Sequence, residues 1–152
     1  MSIHWLTGLS GSGKTTLAKA IAKLNPTVII LDSDDIRISM DFTLKGKLDN
    51  AKFLEKLAIV LNKQGFDVIV ACIQNAPNED FIEVYVSTPL SICRERDAKG
   101  LYALNDVGKI TNFTGGDILY MPPTNPNITI DTSKNNDIKS MFHRTMANPK
   151  TA

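Results

Sequence analysis

Short apolar runs rich in β-branched residues alternate along the chain with stretches whose apolar positions recur every three or four residues. The runs cover residues 3–6, 27–31, 67–73, 81–86 and 127–131, and each reads as a buried strand. Between the first two, Leu17, Ala20, Ile21 and Leu24 fall at helical spacing among strong helix formers, until Asn25-Pro26 breaks the pattern. Residues 40–47 read as a loop holding Phe42 and Gly46. A helix is expected from about residue 49 to 64, with Ala51, Leu54, Leu57, Ala58 and Leu61 on its apolar face and Gly65 as its stop. After the fourth strand, Ser87 and Thr88 offer a hydroxyl cap, and Pro89 a first-turn proline, to a helix carrying Arg94, Glu95, Arg96 and Asp97. Residues 99–123 break the alternation: they hold six Gly or Pro positions and scattered Tyr102, Phe113 and Tyr120, and read as a lid. A final amphipathic helix is expected over 137–146, and 148–152 as a frayed tail.

Strands alternating with helices predict an α/β fold: three layers, a mainly parallel sheet and helices on both faces. The length of 152 residues fits one domain, taken as 1–147 including the lid. The formal net charge of +1 argues against a nucleic-acid partner, and no polybasic run suggests a membrane surface. No apolar run is long enough to span a bilayer, and no signal peptide is expected because polar, glycine-rich sequence follows so close upon Met1. Cys72 and Cys93 lie far apart in apolar surroundings and read as buried thiols of a reducing, cytoplasmic compartment.

Chemistry enters between the first strand and the first helix. Gly8, Gly13, Lys14 and Thr15 fill the pattern G-x-x-x-x-G-K-[ST] of a phosphate-binding loop, and strand–loop–helix is the context that pattern requires. A triphosphate needs many donors converging on it. Gly8, Gly11 and Gly13, with Ser10 and Ser12 between them, let the backbone N–H groups turn inward, and the helix N-terminus at Lys14, Thr15 and Thr16 adds its dipole. Lys14 supplies a point charge for the β- and γ-phosphates, and the Thr15 hydroxyl suits Mg²⁺. The second strand delivers Asp32-Ser33-Asp34-Asp35-Ile36-Arg37 at its carboxyl end, where open α/β sheets gather ligands. A helix cap would account for one or two of these acids; the whole set with Arg37 also points to ligand chemistry. The residues alone thus predict a P-loop kinase-type fold with MgATP as phosphoryl donor and leave the acceptor open.

Several separate motifs, spanning Trp5 to about Pro123, resemble the adenylylsulfate kinase family. Residues 5–18 are similar to that family's phosphate loop, 31–37 to its Leu-Asp-Gly-Asp segment with Ser33 in place of glycine, and 81–86 with Thr88-Pro89-Leu90 to its next strand and turn. Residues 96–102 and 112–117 resemble the two halves of its lid. The resemblance implies phosphorylation of the 3′-hydroxyl of adenylyl sulfate. It implies that Asp34, supported by Asp32, positions or deprotonates that hydroxyl. It implies Arg37 on the anionic group, Phe42 and Phe113 stacked on either side of the adenine, and Lys47 (where the family has arginine), Asn50, Ile73 and Leu101 around the acceptor. Arg96 would lie near the ATP base, and Lys99 in the lid. The family often dimerises, which leaves a homodimer open.

The chain also departs from the family. Ile73-Gln74-Asn75 replaces Ile-Ser-Pro, and the arginine-bearing helix that follows it in the family is missing. The loop between Arg37 and Phe42 is shorter, and Ala103, Leu104, Asn105 and Asp106 replace basic lid residues. Two alternatives therefore stand beside the leading expectation: a kinase for another small acceptor, and a nucleotide-binding module with little catalysis.

Overall fold

The computed structural model describes residues 2–38, 43–134 and 137–146. The chain runs β1 (Ile3–Thr7), α1 (Lys14–Leu24), β2 (Ile29–Asp32), α2 (Leu44–Lys63), β3 (Val68–Ala71), β4 (Ile82–Val86), α3 (Leu90–Arg96), α4 (Leu101–Asp106), β5 (Ile128–Ile130) and α5 (Ile138–Met146). The strands pair in the order β2-β3-β1-β4-β5, all in parallel. β1 lies at the centre, with Leu6 beside Ala71 on one side and Val84 on the other.

Alternation along β1 divides the core. Ile3 and Trp5 face α2, where Leu31, Leu54, Ala58, Val70 and Phe81 join them. Leu6 faces α1 and α5, with Leu17, Ala18, Ile21, Val84 and Ile130. Trp5 meets Phe81 edge-on at 5.4 Å, and its indole N–H donates to the Gln74 carbonyl at 2.8 Å, so a large buried ring keeps its one polar atom satisfied. A third cluster of Leu9, Cys93 and Tyr102, flanked by Phe113 and Tyr120, ties the segment after α3 to the phosphate loop. Both cysteines are buried free thiols. Among the described residues no helix is long and apolar enough to cross a membrane.

Five strands and the expected helices are present, and the differences are local. α2 begins at Leu44 rather than near residue 49: the Thr43 hydroxyl accepts from the Gly46 N–H at 3.4 Å and caps the helix, and Gly46 is buried inside the first turn. On α1 the third buried position is Ala18, while Leu24 is 45% exposed. Among the described residues no helix starts directly at the end of β2. Asp32 Oδ1 accepts from the Asp34 N–H at 2.9 Å, and the Asp32 carbonyl from Asp35 and Ile36 N–H at 3.0 Å, so the acids form a tight turn and cap nothing. The hydroxyl cap expected for α3 is also absent: its N-cap is Pro89, and the Thr88 hydroxyl turns to the phosphate loop instead. The 99–123 segment is not wholly irregular, because α4 forms within it. The tail at 148–152 lies outside the described residues.

Candidate active site

A parallel sheet puts the carboxyl ends of all its strands on one edge, and the chemistry gathers there. The loop after β1 is pressed against β4. A Cβ on Gly8 would stand 2.6 Å from the Val86 carbonyl oxygen and 2.8 Å from Ser12 Oγ, so no side chain fits. Ser12 is buried beneath the loop, and its Oγ has no hydrogen-bond partner among the described residues. Its carbonyl accepts from the hydroxyls of Thr88, at 3.0 Å, and Thr132, at 2.5 Å. These two threonines brace the loop from the ends of β4 and β5. The sequence analysis read Thr88 as a helix cap and did not single out Thr132, and neither contact with the loop was anticipated.

The Lys14 ammonium donates to the loop's own carbonyls, Gly8 at 2.7 Å and Leu9 at 2.8 Å. Burial pulls its pKa down to about 8; the Lys99 charge adds to the fall, and Cys72, Asp34 and Asp32 oppose it. The Thr15 hydroxyl donates to Asp32 Oδ2 at 2.5 Å. Asp34 stands between two cations: Lys99 Nζ binds its Oδ2, and Arg37 Nη2 lies 3.9 Å from its Oδ1.

Two cavities open from this edge. The first, of about 410 Å³, is lined by Ser10, Gly11, Gly13, Lys14, Thr15 and Thr16 of the loop. Asp34, Arg96, Lys99 and Thr132 also line it. Arg96 Nη1 donates to the Gly11 carbonyl at 3.1 Å and to Thr132 Oγ1 at 3.0 Å. The second, of about 520 Å³, brings together Arg37, Lys47, Asn50, Ile73, Leu101 and Phe113. Ser33 and Cys72, both missed in the sequence, also line it. Asn50 is buried, and its Oδ1 accepts from the Ile38 N–H at 3.0 Å. Lys47 reaches across to the Asn112 carbonyl and to Thr114 Oγ1, at 3.1 Å from the latter, and burial lowers its pKa.

Of the residues expected around the acceptor, Asp34 and Lys99 lie on the wall of the first cavity and not of the second, and Phe42 lies outside the described residues. The backbone around Phe113 is fixed by Asp117, which accepts from the Phe113 N–H at 2.9 Å and the Asn112 N–H at 2.8 Å. Those hydrogen bonds hold its carboxyl below the usual carboxylate range. A larger open groove of about 920 Å³, walled by Leu48, Ala51, Ile118 and Met121, adjoins the second cavity and was not anticipated.

A parallel sheet ordered β2-β3-β1-β4-β5, with a glycine-rich loop and buried lysine between its central strand and first helix, defines a P-loop kinase-type fold. Comparison narrows the class. The family model described as adenylylsulphate kinase matches residues 1–131, and the chain belongs to that family. It is 40% identical to the adenylyl-sulfate kinase of Pseudomonas aeruginosa, over 86% of this chain and 76% of that one. With the adenylyl-sulfate kinase of Lactiplantibacillus plantarum the identity is 38%, over 87% and 73%. The structure superposes on that of the Mycobacterium tuberculosis APS kinase CysC in complex with AMPPNP and APS with a TM-score of 0.82, at 31% identity and 93% coverage of both chains.

Proposed function

We propose that the protein is an ATP-dependent kinase that phosphorylates the 3′-hydroxyl of adenylyl sulfate, giving 3′-phosphoadenylyl sulfate and ADP. The observation that carries this reading is the convergence of Arg37, Lys47, Asn50, Ile73, Leu101 and Phe113 on one cavity, drawn from five separate stretches of chain, beside the phosphate-loop cavity. The Mycobacterium tuberculosis enzyme, whose complex with AMPPNP and APS has this fold, supports it.

In this reading ATP phosphates fill the loop and take the Lys14 ammonium away from the Gly8 and Leu9 carbonyls. The Lys14 charge then stabilises oxygens that become more negative as the γ-phosphoryl group transfers. Arg96 lies on the base side of the nucleotide. The acceptor's adenine stacks on Phe113, with Phe42 assigned to its other face by family resemblance. Arg37 and Lys47 meet the anionic groups, and Asn50, Ile73 and Leu101 shape the remaining wall. Asp34, on the wall of the phosphate-loop cavity with its neighbours Ser33 and Arg37 on the other, accepts the proton of the 3′-hydroxyl as that hydroxyl's oxygen bonds to the γ-phosphorus and the β–γ bridge bond breaks. Lys99 shifts from Asp34 toward phosphate as the lid, residues 99–123, closes.

The oxygen donors at Thr15 and Asp32 suit Mg²⁺, a hard cation that binds through one or two protein oxygens plus phosphates and water. Among the described residues no group of three or more His, Cys, Asp or Glu is placed to hold a metal ion alone. Bound there, Mg²⁺ would offset phosphate charge. Buried free Cys72 and Cys93 suit a cytoplasmic location.

An ADP-coupled assay tests the proposal. ADP should appear only when MgATP and adenylyl sulfate are both present. ADP release that ignores adenylyl sulfate but responds to another hydroxyl acceptor would transfer the reading to that acceptor.

A further inference from the structure

One buried side chain joins the two cavities without belonging to the chemistry assigned to either. Tyr102 is 2% exposed. Its hydroxyl donates to the Ser10 carbonyl at 2.7 Å, and Ser10 lines the phosphate-loop cavity. Its ring meets Phe113 edge-on, with centroids 4.9 Å apart and planes at 78°, and Phe113 lines the acceptor cavity. Both ends of the link are anchored. The Asp97 carboxylate accepts from the N–H groups of Tyr102 at 3.0 Å and Ala103 at 3.1 Å, fixing the start of α4. Asp117 holds the Phe113 backbone from the other side. The Arg94 guanidinium lies 5.4 Å from the Tyr102 ring centroid and covers its outer face. Burial pushes the phenol well above its ordinary range, so the hydroxyl stays a donor throughout the working pH range.

We infer that Tyr102 is a positioning residue that couples nucleotide binding to acceptor binding: an occupied phosphate loop fixes the Ser10 carbonyl, that carbonyl fixes the Tyr102 ring, and the ring holds Phe113 at the angle that receives the acceptor's flat base. The inference rests on the functional reading above, in which phosphates fill the loop and adenine stacks on Phe113. Such a coupling is reciprocal, so each ligand tightens the other by the same factor. A neutral hydrogen bond of this kind changes an equilibrium by roughly 2- to 12-fold, which sets the size of its share.

The test is calorimetric titration of wild type and Tyr102→Phe with AMPPNP plus Mg²⁺ and with adenylyl sulfate, each alone and each against the saturated partner ligand. The ratio of the two Kd values for a ligand is the coupling factor. Tyr102→Phe keeps the ring and loses only the hydroxyl. It should leave each single-ligand Kd within about twofold and cut the coupling factor by roughly 3- to 10-fold in both directions. An unchanged coupling factor would overturn the inference. So would weaker single-ligand binding with the coupling intact, the signature of a prop for the lid, or a wild type that binds both ligands with no coupling at all. A wild type that fails to bind adenylyl sulfate would instead sink the functional reading, and this inference with it. Should Tyr102→Phe not melt cooperatively, Phe113→Leu cuts the same link at its other end. Its coupling factor must fall likewise, and persistence there would overturn the inference.

Discussion

Replacing Gly8 by alanine would put a methyl group where backbone already stands. The new Cβ would lie 2.6 Å from the Val86 carbonyl oxygen, 2.8 Å from Ser12 Oγ and 3.3 Å from Val86 Cβ. An ordinary C···O contact is about 3.3–3.6 Å, so the loop would have to move away from β4 by roughly 0.7–1 Å. Val86 cannot retreat, because β4 is held between β1 and β5. Overpacking of this kind costs about 1–3 kcal/mol, which lowers the Tm of a domain this size by roughly 2–12 °C. The functional cost is larger, since a displacement of about 1 Å at a phosphoryl-transfer site is worth on the order of 10²-fold in rate.

Gly100→Ala is the control. Gly100 has φ +70° but no atom within 4 Å of an added Cβ, so alanine there costs only the left-handed backbone, about 1–2 kcal/mol. The two variants should melt at similar temperatures, yet only Gly8→Ala should lose AMPPNP binding in calorimetry and turnover in the kinase assay. Wild-type nucleotide affinity in Gly8→Ala, or equal loss in Gly100→Ala, would refute the view that loop and strand are in forced contact.

Three further outcomes follow from the site. Asp34→Asn should lower kcat while ATP affinity stays within a few-fold; its partners are exposed ion pairs and it caps no helix, so the loss of stability should be under about 1 kcal/mol by urea denaturation. Phe113→Ala should weaken adenylyl sulfate binding by about tenfold or more, from roughly 1–3 kcal/mol of stacking, while the Kd for ATP alone changes much less; equal weakening of both would mean general collapse of the lid. Because burial holds the Lys14 pKa at about 8 in the free protein, the loop loses its charge as pH rises past that value. A bound phosphate raises the pKa again, so ATP binding takes up a proton and its affinity should fall by up to about tenfold per pH unit above pH 8. A flat affinity between pH 7 and 9.5 would contradict this.

The sequence disclosed the frame well and the joints poorly. Phosphate loop, strand run and first helix were legible because each rests on local pattern: glycine spacing, β-branched runs, helical periodicity. The start of α2 was misplaced because Gly46 reads as a breaker when only its neighbours in sequence are visible; in the structure it is buried in the first turn of the helix. Capping was expected to account for one or two of Asp32 to Asp35, with ligand chemistry for the set; in the structure they form a turn that presents Asp34 between Arg37 and Lys99, a placement that depends on Lys99 from a distant stretch of chain. The acceptor residues could be gathered only through family resemblance, since Arg37, Lys47, Ile73, Leu101 and Phe113 lie far apart in the chain and no periodicity relates them. The contacts of Thr88, Thr132 and Tyr102 with the phosphate loop were not legible, although Thr88 and Tyr102 lie in motifs that the sequence marked, because such contacts exist only between elements that the fold brings together.

The central claim is transfer of the ATP γ-phosphoryl group to the 3′-hydroxyl of adenylyl sulfate. Its most direct test is to incubate the protein with Mg²⁺, adenylyl sulfate and ATP labelled in the γ-phosphate, and to identify the labelled product by chromatography and mass spectrometry. Label is expected in 3′-phosphoadenylyl sulfate, matched mole for mole by ADP and absent when adenylyl sulfate is omitted. Label found only in inorganic phosphate, or none released from ATP at all, would contradict it.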